Sequence, residues 1–151
     1  MVPARDFSIS FGDDRRYWKW SHAKETSDMM VEVAKLRGVC WLHMVGKFEM
    51  GRLTPGIKYE VVFVVMIKRY YSYGWWGVPI SIKLTLPDGS TQEHTEDFAK
   101  KPRSEWFEIP VGEFIVDAKK GGPVEFTMYE HDSQWWKSGL VLKGAAIRPK
   151  F

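Results

Sequence analysis

Polar and apolar residues alternate with a period of two along much of the chain, the pattern of half-buried strands rather than of helices. Phe7–Phe11 (FSISF) and Ile80–Leu86 (ISIKLTL) alternate cleanly. Lys58–Ile67 (KYEVVFVVMI) is β-branched and nearly continuous in apolar residues, as a strand covered on both faces would be. Val39–Glu49 is long and rich in apolar residues, and Tyr17–Ser21 (YWKWS) is short and aromatic. Glu105–Ile109, Val124–Glu130 and Leu140–Ile147 have the same strand character. Pro87-Asp88-Gly89-Ser90 is a turn signal that returns Thr91–Thr95 as a partner strand, because proline fixes one turn dihedral and glycine accepts a positive one. Ser27–Leu36 fits either a helix capped by Ser27 or Asp28 or an alternating strand, and the strand is preferred.

About nine or ten strands separated by turn signals predict an all-β protein. Several connections are long, at 50–57, 69–79, 96–104 and 117–123. Long connections favour a jelly-roll (Greek-key) antiparallel β-sandwich over an up-and-down barrel. No internal repeat or linker interrupts the pattern, so residues 1–151 are read as a single domain.

Composition narrows the chemistry. The 151 residues are 44% hydrophobic and 27% charged, which excludes a disordered chain. Lys plus Arg is 22 against 19 Asp plus Glu, a mild net charge of +3. Cys40 is the single cysteine, so no intrachain disulfide forms, and a reducing, cytoplasmic compartment is expected. The opening MVPARDFSIS has no apolar leader, and the longest apolar stretch, Val61–Ile67, is far shorter than the ~20 residues of a membrane span. Aromatic residues make up 15% of the chain and include 8 Trp. One core absorbs a few of them; the rest call for an interface or a ligand surface.

No nucleophile elbow, phosphate loop or dinucleotide fingerprint is present, and no carboxylate spacing selects a hydrolytic pair. His22, His43, His94 and His131 lack metal-ligand spacing, so neither metal nor cofactor is expected. His43 is read as a core or interface residue, His131 as part of a solvated turn and Cys40 as a buried, inert thiol. Basic and aromatic residues interleave in Arg15–Trp20 and in Lys68–Tyr71, the combination single-stranded nucleic acid needs. Asp13 and Asp14 beside the first cluster, and the low net charge, argue against that as the main role. Sugars need an aromatic face for their C–H side and polar groups for their hydroxyls. Tyr17–Ser21, Tyr73–Gly77 and the 133–139 segment (SQWWKSG) have that composition. In strand phase Trp18 and Trp20 share one face, where either could equally be core. Trp75 and Trp76, like Trp135 and Trp136, cannot both point inward, so one of each pair is expected to be core. Trp41 and Trp106 are read as core.

Ser8–Trp20 (SISFGDDRRYWKW), Val39-Cys40-Trp41-Leu42, Leu84–Gly89 (LTLPDG), Trp106–Phe114 (WFEIPVGEF) and Trp136–Leu140 (WKSGL) together resemble the phloem protein 2, or Nictaba-type, lectins of plants. The likeness runs from Arg5 to Lys150, and its compact extent is similar to the small cucurbit phloem lectins. It implies a non-enzymatic jelly-roll lectin of cytoplasm and sieve-element sap. Its ligands would be N-acetylglucosamine oligomers (chitooligosaccharides) and N-glycan cores. It also implies a homodimer, with RNA or phloem filament proteins as alternative partners. A family tryptophan important for sugar binding matches Trp18; a second, seven residues earlier, is Phe11 here, and Trp135 is an addition. The expected site is shallow and lies at one end of the sandwich. Trp18 or Trp136 would stack on a ring, with Trp135 beside it. Asp132, Lys137 and Ser138 would bind hydroxyl or acetamido oxygens, and Glu130 or Trp20 would shape the wall.

Overall fold

The computed structural model describes residues 1–24, 30–119, 121–132 and 134–151, and of Ala23, Lys24 and Met30 the backbone only. The predicted cap at Ser27 or Asp28, and Ser133, lie outside the described residues. The strands are β1 (Val2–Pro3), β2 (Ser8–Ile9), β3 (Trp18–Lys24), β4 (Met30–Leu36), β5 (Leu42–Glu49) and β6 (Lys58–Ile67). They continue with β7 (Pro79–Thr85), β8 (Thr91–Asp97), β9 (Phe107–Ile115), β10 (Pro123–Glu130) and β11 (Leu140–Pro149). Two antiparallel sheets face each other, in the orders β3-β4-β11-β6-β9, with β1 beside β11, and β2-β5-β10-β7-β8. From β4 onward the chain changes sheet at every connection except the β7–β8 hairpin. The fold is the jelly-roll β-sandwich that the strand pattern predicts.

Alternation decides what each strand buries. β10 points Val124, Phe126 and Met128 into the interior and β7 points Ile80, Ile82 and Leu84 the same way. β6 supplies Val61, Phe63, Val65 and Ile67 from the other sheet. Phe63, Phe126 and Phe7 form an aromatic centre with ring centroids 5.6–6.1 Å apart. Each such ring contributes roughly 1.5–3 kcal/mol by leaving water. Gly46 on β5 makes room for it: a Cβ there would lie 2.1 Å from a Phe126 ring carbon.

The predicted turn at 87–90 forms, with Asp88 Oδ1 accepting from the Ser90 amide at 2.9 Å. β9 runs past the predicted end at Ile109 to Ile115. Pro110 cannot donate to the ladder, and a register shift opposite Val61 and Val62 absorbs it. Phe11 leaves strand geometry altogether, with φ of 63°. Met30–Leu36 is a strand, paired with β3 and β11. Among the described residues no helix is long and apolar enough to cross a membrane.

Gly46→Ala should lower stability by about 1–3 kcal/mol, because the added methyl overpacks the Phe126 ring. Thermal unfolding reads this as a fall of several degrees; an unchanged midpoint would show that the centre is loosely packed.

Candidate functional site

The phase of β10 that buries Val124, Phe126 and Met128 also turns Glu130 inward, leaving a carboxylate at the end of the core. Lys137 meets it there. Its side chain is 0% exposed, and its Nζ donates to Glu130 Oε2 at 2.9 Å, to the Cys40 carbonyl at 2.7 Å and to the Trp135 carbonyl at 3.1 Å. All three ammonium protons are engaged. Backbone bonds between Lys137 and Val39 in both directions complete the tie between the 131–139 loop and the approach to β5.

Ser138 fastens the same loop to residues 71–75. Its hydroxyl donates to the Tyr71 carbonyl at 3.0 Å and accepts from the Tyr73 amide at 3.1 Å, while its carbonyl accepts from Trp75 Nε1 at 2.9 Å. Gly74, at φ 88°, passes so close that a Cβ would lie 2.1 Å from the Trp136 carbonyl oxygen, so this crossing requires glycine.

These ties present aromatic rings outward at one end of the sandwich. Trp135 and Trp136 are 69% and 59% exposed. Trp136 stacks on Tyr17 at 6.3 Å, and Tyr17 touches Phe11 at 5.2 Å. Trp41, 48% exposed, stacks on His131 at 4.0 Å, and His131 lies 5.2 Å from Tyr129 and 5.7 Å from His43. Tyr71, Tyr73 and Trp76 are exposed as well. The Asp132 side chain is open to solvent, 3.8 Å from His131 Nδ1.

The structure redistributes the expected site residues. Trp18 is 2% exposed and belongs to the core, and its Nε1–H finds no acceptor among the described residues, so it offers a sugar no stacking face. Trp20 is half-buried: its Nε1–H donates to the Gly12 carbonyl at 2.9 Å and the Arg5 guanidinium lies 3.8 Å from its ring. Glu130, Lys137 and Ser138 use their polar groups on the protein itself. Asp132, Trp135 and Trp136 remain accessible together. Both tryptophans of the Trp135–Trp136 pair are exposed, against the expectation of one inside, because the buried Lys137 takes the inward place. Trp75 and Trp76 do divide, inside and outside. Trp106 is half-buried. His131 is stacked rather than simply solvated. Cys40 is half-buried, its Sγ donating to the Gln134 carbonyl at 3.5 Å. Trp41, like Trp106 expected in the core, lies outside it. The signal was present: Leu42 and Met44 point inward, so Trp41 and His43 take the opposite phase.

The class of protein is therefore a jelly-roll sandwich carrying a loop-borne aromatic surface. The family model described as phloem protein 2 matches residues 1–149, and the chain belongs to that family. It is 45% identical over 152 residues to Protein PHLOEM PROTEIN 2-LIKE A1 of Arabidopsis thaliana, a match covering 99% of this chain and 61% of that protein. It is 42% identical over 151 residues to a lectin of Luffa acutangula, covering 99% of this chain and 70% of the lectin. The fold is similar to that of the Clostridium thermocellum endo-1,4-β-D-xylanase 10B CBM22-1–GH10 modules complexed with xylohexaose. That likeness has a TM-score of 0.53 and 12% identity, and covers 99% of this chain and 27% of that one.

Lys137→Met, which strips Glu130 of its cation, should cost about 3–5 kcal/mol in denaturant unfolding. The double variant Lys137→Met, Glu130→Leu should recover part of that loss. A single variant as stable as the parent would mean that Lys137 carries no buried charge pair.

Burial, and then the neighbouring His131, push the His43 imidazole below the ordinary histidine range. The unfolded chain then binds the proton more readily, so this contribution is complete at neutral pH and is lost as pH falls through the ordinary value of 6.5. Between about pH 8 and pH 5 the unfolding temperature should drop further in the parent than in His43→Gln. Equal drops would assign the pH dependence to other groups.

Proposed function

We propose that residues 1–151 form a single non-catalytic lectin domain that binds N-acetylglucosamine oligomers at the aromatic end of the sandwich. The observation that carries this reading is the outward display of Trp135, Trp136 and Trp41 on loops fixed by the buried Lys137. Large aromatic rings held in water against the hydrophobic effect are suited to the C–H face of a pyranose. The 42% identity to a lectin supports a carbohydrate ligand.

Trp136 and Trp135 supply the stacking faces, and Trp41 backed by His131 supplies a further one. Asp132 accepts hydrogen bonds from sugar hydroxyls. Glu130, Lys137 and Ser138 position these groups rather than contact the ligand, and Trp18 and Trp20 anchor the first sheet. N-glycan cores, which contain the same N-acetylglucosamine unit, are the natural branched ligands. Cross-linking of glycans requires two sites, which a homodimer would provide. Cytoplasm and phloem sap are the proposed location, by family.

Because the aromatic surface spans several loops, affinity should rise from the monosaccharide to chitotriose. Calorimetric titration of Trp136→Ala with chitotriose should show a loss of at least about tenfold, the equivalent of ~1.4 kcal/mol, with unfolding temperature unchanged. Unaltered affinity in both Trp136→Ala and Trp135→Ala would place the sugar elsewhere.

A further inference from the structure

A cleft of about 850 Å³ lies beside this aromatic end and is lined by residues to which the lectin reading gives no ligand role. Arg5, Arg15, Lys19, Lys35, Arg37 and Lys68 all contribute to its wall, against the single carboxylate of Asp13. The whole chain carries only +3, so its cationic excess is concentrated in this cleft. Lys19 and Lys35 stand directly opposite each other in the β3–β4 register. Like charges in that relation oppose strand pairing. Among the described residues none of Lys19, Lys35, Lys68 and Arg15 has a carboxylate partner; Arg5 pairs with Glu32, and Arg37 Nη1 donates to the Arg15 carbonyl. Burial, then the charges of Lys68 and Lys19, hold the Lys35 ammonium below the ordinary lysine range. The fold thus keeps an unfavourable cluster of cations that an anion would relieve, in a concave site that focuses their field.

We propose that this cleft binds the anionic substituents, carboxylate or sulfate, of an acidic oligosaccharide. The proposal rests on the carbohydrate-binding reading and extends it to a charged class of glycan at a second, adjoining surface. Continuity favours a saccharide. Tyr71 and Gly139 line the cleft, and the Tyr71 carbonyl is the acceptor of Ser138 Oγ, so the cleft opens beside the 131–139 loop. Tyr71 stands exposed at its edge in the left-handed region, φ 60°, a conformation that costs a non-glycine residue energy and is common at ligand clamps. Nucleic acid fits less well. Single strands need successive free stacking faces, whereas in this cleft Trp18 is buried, Trp20 lies under Arg5, and Tyr71 is the exposed ring.

The test titrates the full chain at low salt with tetragalacturonate, with a sulfated heparin tetrasaccharide, with chitotriose and with a single-stranded oligonucleotide of similar charge. The double variant Lys19→Gln, Lys35→Gln is titrated in parallel. At least one acidic tetrasaccharide should bind, and the two arms separate carboxylate from sulfate. That affinity should fall at least about tenfold in the double variant, the scale of losing a charge-assisted hydrogen bond. Chitotriose affinity should stay unchanged, and the variant should unfold at or above the parent's temperature, since a like-charge opposition is removed. No binding of either acidic saccharide, or binding indifferent to the double substitution, overturns the inference while leaving a chitotriose result intact. An oligonucleotide that binds more tightly than both saccharides overturns it in favour of nucleic acid. Acidic saccharide bound through Lys19 and Lys35 with no chitotriose binding upholds the inference and removes the N-acetylglucosamine reading instead.

Discussion

Lys137 holds its ammonium away from water among three oxygens, and a charge in that position tolerates few arrangements of the chain around it. Removing the carboxylate, or moving the Cys40 or Trp135 carbonyl, would leave a buried proton donor without an acceptor, at a cost of several kcal/mol for a charged group. Three segments distant in sequence are therefore locked together: the end of β10, the approach to β5 and the loop of residues 131–139. Ser138 adds the loop of residues 71–75 by the same means. These irregular loops are thus tied by side-chain hydrogen bonds where sheets rely on backbone pairing.

That lock inverts the usual placement of side chains. The most hydrophilic residue of the WWKSG segment is completely buried, and the two indoles before it are pushed into solvent. The inversion has a purpose if the rings meet the apolar faces of sugars, since a rigid aromatic platform loses little conformational freedom on binding. It also explains why polar side chains near the rings are already engaged. They orient the platform, and among the described residues of this loop Asp132 and Gln134 are the polar residues left exposed.

The β architecture was legible in the sequence because alternation is a local property. β6, β7 and β10 announce themselves by residues such as Phe63, Ile82 and Phe126, each in phase with its neighbours. Exposure at the candidate site was harder to read. The SQWWKSG segment carries the two exposed indoles, yet a lysine beside tryptophans reads as exposed when its partner, Glu130, is seven residues away. Trp18 and Trp41 are hard to place for a similar reason: strand phase fixes the face on which a residue lies, but whether that face is covered depends on the second sheet. Cys40 and Gln134 meet across the loop, a contact that no spacing could predict.

In the proposed function, folding divides the indoles into a buried set that supports and an exposed set that meets the sugar. Proton–nitrogen NMR spectra of the indole Nε1–H groups during a chitotriose titration observe both sets at once. The Trp135 and Trp136 signals should shift in a saturable way while those of Trp18 and Trp75 stay in place. Shifts confined to Trp18, with Trp135 and Trp136 unmoved, would contradict it.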